Sequence, residues 1–548
     1  MVTMTLRSHI ALALCLLCHL GASDLFQYRL TLAPEPIPES VGSATAAAAL
    51  QAANEKTYRA WLWLPEASEK IRGVVLSSWI MDPWNDDGIR AALAGADLGI
   101  VCIDPHFDTT WENAEGASSK RFERMMRDLA ALSGHPELAA APVLPVGHSV
   151  GTLFASRFPY AHPERCFGAI TFKGGFCLND DQPAKVVGIP WLHIQGQFEE
   201  FGPGPSGVLR ENEDRSTGAH TAMTSQLAHR AKHPGLLLGL LVDPGTTHMC
   251  WNPQTYAVVA RHIITAAKLR IAADGSLRPV AVAEGAFGSG DVFHPGTPLL
   301  AKDAPEKNAG SFWYGDLDIA QEVTRLHQLT GKKTQFVALA DAKGKPVDVG
   351  HDLRLKFTPA FDGPDTFTLV GAFVTDKIPK KFPAEALPIG HADGPIRFRT
   401  GRSTSRALTQ IDADTFRLGW DGRGQGMILA WHPGDGTYRP AEQPARLMLP
   451  DLKGATAQTI AWEPATTITA AQLPLVLTAT ASSGLTVRFA VVYGPAVIDE
   501  QGRLALAEVP RNAPWPLSIE VGAFQVGSYV APLVAKAEPV VKTFVVTK

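Results

Sequence analysis

Cysteine is scarce, with six residues in a chain of 548. Cys15 and Cys18 lie in an apolar N-terminal stretch, which leaves Cys102, Cys166, Cys177 and Cys250 for the rest. Four in so long a chain exclude a disulfide scaffold, and their scatter lacks the paired spacing of structural zinc. At most one bridge, such as Cys177 to Cys250, stays open. Neither a metal nor a cofactor is expected. Charge of one sign is also lacking: 50 Lys and Arg against 54 Asp and Glu give a net −4. With no basic stripe, nucleic acid is not an expected partner. Beyond the first 23 residues no apolar run reaches the roughly 20 residues of a membrane span.

What the chain has in plenty is Gly and Pro, 49 and 41 residues, as the turns of all-β modules require. The opening "MVTMTLRSHIALALCLLCHLGAS" reads as a signal peptide over residues 1–23. Arg7 is its positive start, Ile10 to Leu17 its apolar core and Gly21-Ala22-Ser23 its cleavage site. A secreted, periplasmic or cell-surface protein is the expectation. The length exceeds what one hydrophobic core supports.

Residues 24–272 alternate nearly continuous apolar runs ("GVVLSSW", "LGIVCIDPH", "IPWLHIQGQ", "GLLLGLLVDPG") with helical stretches such as "SSKRFERMMRDLAALSG". Runs of that kind suit strands buried on both faces, so the pattern predicts an α/β domain with a mostly parallel sheet and helices on both faces. Residues 273–335 read as a Gly/Pro-rich connection with one helix, "LDIAQEVTRLHQL". Short strands between turns then predict a β-sandwich over 336–455 and an immunoglobulin-like β-sandwich over 456–548. In the latter Leu517, Ile519 and Val521 alternate inward. These sandwiches are expected to stand independently and to be dispensable for chemistry.

Gly147-His148-Ser149-Val150-Gly151 is a G-x-S-x-G pattern between the apolar "PVLPV" and the helix-compatible "TLFASRFPYAH". That strand-turn-helix order is the setting of a nucleophile elbow, which holds its serine in a strained turn and offers the next N–H, that of Val150, to a developing oxyanion. A serine hydroxyl needs a base, and His248 follows the last apolar strand. His220, His229 and His233 precede that strand in a polar segment, and His193 lies within a strand. The acid should follow the preceding strand, where Glu199 and Glu200 stand after Gly196; Asp243, on the strand that leads to His248, is the runner-up. A carboxylate there fixes the histidine tautomer. The order Ser149…Glu199…His248 predicts that hydrolysis rises with pH through roughly 6 to 7, as the base becomes neutral.

On these motifs, and on "SGHPELAAAPVLPVGHSVGTLFASRFPYAHPERCFGAI", the chain resembles secreted bacterial α/β-hydrolases of the esterase/lipase or dienelactone-hydrolase-like type over about 215 residues. The resemblance implies an eight-stranded fold and acyl hydrolysis. Members resembling dienelactone hydrolase often show Gly-x-x-Asp-x-x-x-Pro after the acid strand. Gly196 to Pro203 matches that with glutamate in the aspartate's place, which selects Glu199 and leaves Glu200 pointing away into solvent. Many relatives carry a glycine-rich oxyanion loop after the third strand; here it reads Ser77-Ser78-Trp79-Ile80, so the second oxyanion donor is expected from the Trp79 or Ile80 N–H. Trp84, His106 and Trp111 fall in loops near the mouth of such a fold and are the candidate substrate-binding residues. "LPLVLTATASSGLTVRFAVVYGPAVI" resembles bacterial immunoglobulin-like surface modules, which implies spacing or attachment.

The function expected is therefore a serine carboxylic-ester hydrolase acting through an acyl-enzyme, its partner an ester such as an acylated polysaccharide or aromatic ester. The competing expectations are a secreted serine peptidase of the same fold and a catalytically inactive carbohydrate-binding protein of the cell surface.

Overall fold

The computed structural model describes residues 26–32, 58–78, 82–104, 116–176, 178, 181–203, 209–211, 215–250, 252–341, 343–347, 356–401, 407–420 and 426–548. The expected signal peptide therefore lies outside the described residues, as do Trp79, Ile80, His106, Trp111 and Cys177.

Eight strands form the central sheet: β1 (Tyr28–Leu32), β2 (Tyr58–Trp63), β3 (Gly73–Ser78), β4 (Leu98–Asp104), β5 (Val143–His148), β6 (Ala169–Phe172), β7 (Pro190–Gly196) and β8 (Leu237–Asp243). Their order is β1-β2-β4-β3-β5-β6-β7-β8. β2 runs antiparallel to β1 and β4, and every pairing from β4 to β8 is parallel. Alternation explains the continuous apolar runs. In β3, Val74 and Leu76 join one hydrophobic core and Val75 the other, so neither face of the strand is left to water. The helices Ala117–Ser133 and Thr152–Ala161 cover the Val74 face; Asp87–Ala94 and Tyr256–Arg270 cover the Val75 face. This is the α/β-hydrolase arrangement.

Residues 273–335 correct the expected connection. They hold a three-stranded antiparallel sheet (Ala286–Ser289, Leu299–Leu300, Ser311–Tyr314) and the helix Leu317–Thr330. Phe312, Tyr314, Ile319, Val323 and Leu326 belong to the same core as Leu240, Leu241 and Val242 of β8. β8 is a sheet edge, and its exposed polar groups need cover. Tyr314 donates its hydroxyl to the Leu240 carbonyl at 2.6 Å, and the Val242 N–H donates to His327 Nε2 at 3.0 Å. Burial pushes His327 down to about 3, which keeps that nitrogen free to accept. The segment read as short of pattern because its apolar residues serve a sheet edge far away in sequence.

Two β-modules follow, each with nine described strands, from Val337–Ala340 to Ala441–Leu447 and from Ile460–Ala461 to Val540–Thr547. Their pairing is identical when strands are counted within each module. The first pairs with the fourth; the second, ninth, eighth and fifth form one sheet; the third, seventh and sixth form another. In both, the second strand runs parallel to the ninth. Leu517, Ile519 and Val521 point into the second core, as their alternation predicts. Independence does not hold. Phe524 and Val526 of the second module complete the hydrophobic core of the first, Phe361 stacks on Tyr529 at 4.2 Å, and Arg488 pairs with Asp365.

Candidate active site

β5 delivers Ser149 into a short 3-10 turn, Ser149–Gly151, that leads into the helix Thr152–Ala161. Ser149 takes φ of +56°, a left-handed conformation that a non-glycine residue holds only when its surroundings impose it. Glycine at 147 is required by this turn, since a Cβ there would sit 2.0 Å from the Gly151 carbonyl oxygen. The Ser149 N–H donates to the Lys173 carbonyl at 3.2 Å, and Ser149 is half-buried while Val150 is exposed. The Val150 N–H thus stands at the head of a helix, where main-chain donors have no partner within the helix itself.

Two further loops meet this serine from the C-terminal ends of β7 and β8. His248 Nε2 lies 2.8 Å from Ser149 Oγ, and His248 Nδ1 lies 2.5 Å from Glu199 Oε1. Glu199 is wholly buried and His248 nearly so. The carriers of these side chains are tied to each other through the backbone. Gln197 N–H donates to the Asp243 carbonyl, Phe198 N–H to the Thr246 carbonyl, and Gly245 N–H to Gln197 Oε1. His148 packs its ring 4.9 Å from that of His248 and has Nε2 3.0 Å from the His248 carbonyl oxygen.

Glu200 is a correction. Expected in solvent, it is buried, and its Oε2 accepts the His248 N–H at 2.8 Å. Adjacent side chains serve one histidine because they meet different parts of it, Glu199 the ring and Glu200 the main chain. Burial, and next the charge of Glu199, push the Glu200 carboxyl up to about 7 against the pull of His248 and Arg215. Asp243, the alternative acid, faces elsewhere: its Oδ2 pairs with Lys173 Nζ at 3.0 Å.

Trp84 is the second correction. It is fully buried and packs in the core with Phe26, Trp63, Ile89 and Leu93. Its place just before the helix Asp87–Ala94 makes it an anchor for that helix, not a wall of a substrate site. Cys250 is a buried free thiol, 3.2 Å from Thr247 Oγ1, and Cys177, its expected partner, lies outside the described residues. Among the described residues no group of three His, Cys, Asp or Glu converges as metal ligands would, and no helix is long and apolar enough to cross a membrane.

Sequence reasoning passed over Lys173, which sits behind the site with its side chain fully buried. "TFKGG" carries the signal in hindsight: a lone lysine directly after an apolar strand, with glycines behind it. It also passed over the first β-module, which presses on the acid and histidine loops. A Cβ on Gly245 would lie 1.7 Å from the Pro440 carbonyl oxygen. Phe198 meets the Phe382 ring at 4.9 Å and the Arg439 guanidinium at 5.3 Å.

No family model matches the chain, and no curated protein does. Solved structures do match part of the chain. An IroE-like serine hydrolase from Shewanella oneidensis is 15% identical, covering 43% of this chain and 79% of its own at a TM-score of 0.28. The esterase domain of a Rhodothermus marinus protein is 13% identical, covering 44% and 97% at 0.25. An S-formylglutathione hydrolase from Staphylococcus aureus is 10% identical, covering 44% and 98% at 0.24. The fold assignment rests on the strand order and the elbow, and by these the N-terminal part of the chain has the α/β-hydrolase fold.

Proposed function

We propose that the protein is a serine hydrolase acting on carboxylic esters through Ser149, His248 and Glu199. One observation carries the reading: an unbroken hydrogen-bonded line from Glu199 Oε1 through the His248 ring to Ser149 Oγ, on a serine held at φ +56°. The Ser149 hydroxyl attacks the ester carbonyl while its proton passes to His248 Nε2. The carbonyl oxygen becomes an oxyanion, met by the Val150 N–H and by a second N–H from Trp79 or Ile80. Collapse breaks the bond to the leaving alkoxide, which takes the proton from His248. Water then attacks the acyl-enzyme with His248 again as base, releasing the acid and restoring Ser149. Glu199 holds Nδ1–H and stabilises the imidazolium in both steps. We further propose that residues 1–23 act as a signal peptide and that the chain is exported, to be read from the N-terminus of the mature protein.

A fluorophosphonate tests this reading, because only an activated hydroxyl reacts fast. Ser149 is expected to be the labelled residue, with Ser149→Ala folded, unlabelled and inert toward short-chain esters. Labelling that persists in Ser149→Ala removes the assignment. A panel of short-chain, acetylated-sugar, feruloyl, polyester and peptide substrates then separates esterase from peptidase.

A further inference from the structure

Lys173 follows β6 and combines two unfavourable features. Its φ is +46°, in the left-handed region, and its ammonium is wholly removed from solvent. Each is costly, so both persist only where the surroundings repay them. Its backbone belongs to the elbow and to β7: the carbonyl accepts the Ser149 N–H, and its own N–H donates to the Ile194 carbonyl at 2.7 Å. Its side chain crosses to the other half of the site. Nζ lies 2.8 Å from Thr246 Oγ1, 3.0 Å from the Thr247 carbonyl, 2.6 Å from the Cys250 carbonyl and 3.0 Å from Asp243 Oδ2. Thr246 Oγ1 in turn donates to the Asp243 carbonyl at 3.0 Å. One ammonium therefore gathers the chain on both sides of His248.

We propose that Lys173 is a positioning residue, locking the loop that carries His248 in register with the elbow that carries Ser149. Having no exposed surface, it has no access to substrate and acts only through that loop. The inference rests on Ser149 and His248 being nucleophile and base. Burial penalises charge on both members of the pair and pushes the Asp243 carboxyl up. The same burial works against the Lys173 ammonium, but the charges around it, that of Asp243 foremost, hold it above its ordinary value. With three further acceptors within 3.0 Å, the ammonium is the form that persists.

The test uses the full chain with Lys173→Met and Asp243→Asn combined, so that no unpaired charge stays buried. In a folded variant, kcat on a short-chain ester is expected to fall about 10²-fold with KM within about threefold, as a displacement near 1 Å would produce. Amide exchange across residues 244–250 should quicken. Wild-type kcat together with unchanged exchange in that loop overturns the proposal. If the double variant does not fold, Thr246→Val decides, since it removes one acceptor at constant shape. A fall in its kcat and faster loop exchange support the clamp, and wild-type behaviour in both overturns it. Exchange also separates the two readings. A protein that turns over no ester yet loosens at 244–250 when Lys173 is replaced retains the clamp and loses the hydrolase assignment.

Discussion

The two β-modules share one strand pairing and meet the same α/β domain at different places. The first lies against the loops that follow β7 and β8: Phe382 and Arg439 pack on Phe198, Pro440 abuts Gly245, and the Lys381 carbonyl accepts the Arg215 N–H. The second lies against the β1–β2 edge: Glu520 forms a two-pronged pair with Arg29 at 2.9 Å, Glu508 accepts from Trp63 Nε1, and the Gly494 N–H donates to the Phe26 carbonyl. Topology is the same, yet one copy borders the segment of the glutamates that face His248, and the other meets Phe26, Arg29 and Trp63. Role follows from the contact, not from the fold. The expectation that both modules are dispensable for small-ester chemistry is therefore best tested module by module, because only the first touches the loops that carry Glu199 and His248.

The harshest probe of this asymmetry is the proposed acid, Glu199, on the loop that the first module covers. Glu199→Gln is expected to lower ester turnover about 10³- to 10⁴-fold, because it leaves the wrong histidine tautomer without its counter-charge. Glu200→Gln keeps an acceptor for the His248 N–H and should cost less than tenfold. Reversed effects in steady-state assays would transfer the acid role to Glu200.

Glu200 makes the same face sensitive to pH. Its carboxyl rises from an ordinary 4.5 to about 7 in the fold. A raised acid holds its proton more tightly folded than unfolded, so its contribution is fullest below about 4.5 and is lost as pH climbs through about 7. Glu200→Gln should therefore gain on the wild type as pH rises from 5 to 8, by an amount on the order of 3 kcal/mol. Parallel denaturation midpoints across that range would exclude an uncharged Glu200 in the fold.

Smaller effects compare the modules directly. Phe382→Ala or Arg439→Ala is expected to lower kcat on a short-chain ester about tenfold, through looser support of the Phe198–Glu199 segment, the kind of remote misplacement that costs rate. Glu520→Ala should leave kcat within about twofold and remove about 1 kcal/mol or less of stability, the scale of a partly exposed ion pair. Equal kinetic losses on the two sides would erase the distinction.

The sequence by itself determined what depends on neighbouring residues or on strand order. The elbow was legible because its demand is local: a serine at positive φ with glycine where a Cβ would strike the Gly151 carbonyl. The sheet was legible because β3, β5, β7 and β8 are apolar on both faces. That Ser149, Glu199 and His248 would meet followed from each ending a parallel strand or the turn after it, and parallel strands bring such turns to one edge. Only the tertiary structure decided burial and pairing. Glu200 was read as solvated although it is enclosed, and Trp84 as a wall of the site although it lies in the core. Lys173 and Asp243 are 70 positions apart, and nothing near either one announces the other. The residues 273–335 read as a connection because the edge they cover, β8, precedes them by some tens of residues. The common physical reason is that burial, ion pairing and edge protection sum over atoms brought together only by folding, whereas turns and strand alternation are properties of adjacent residues.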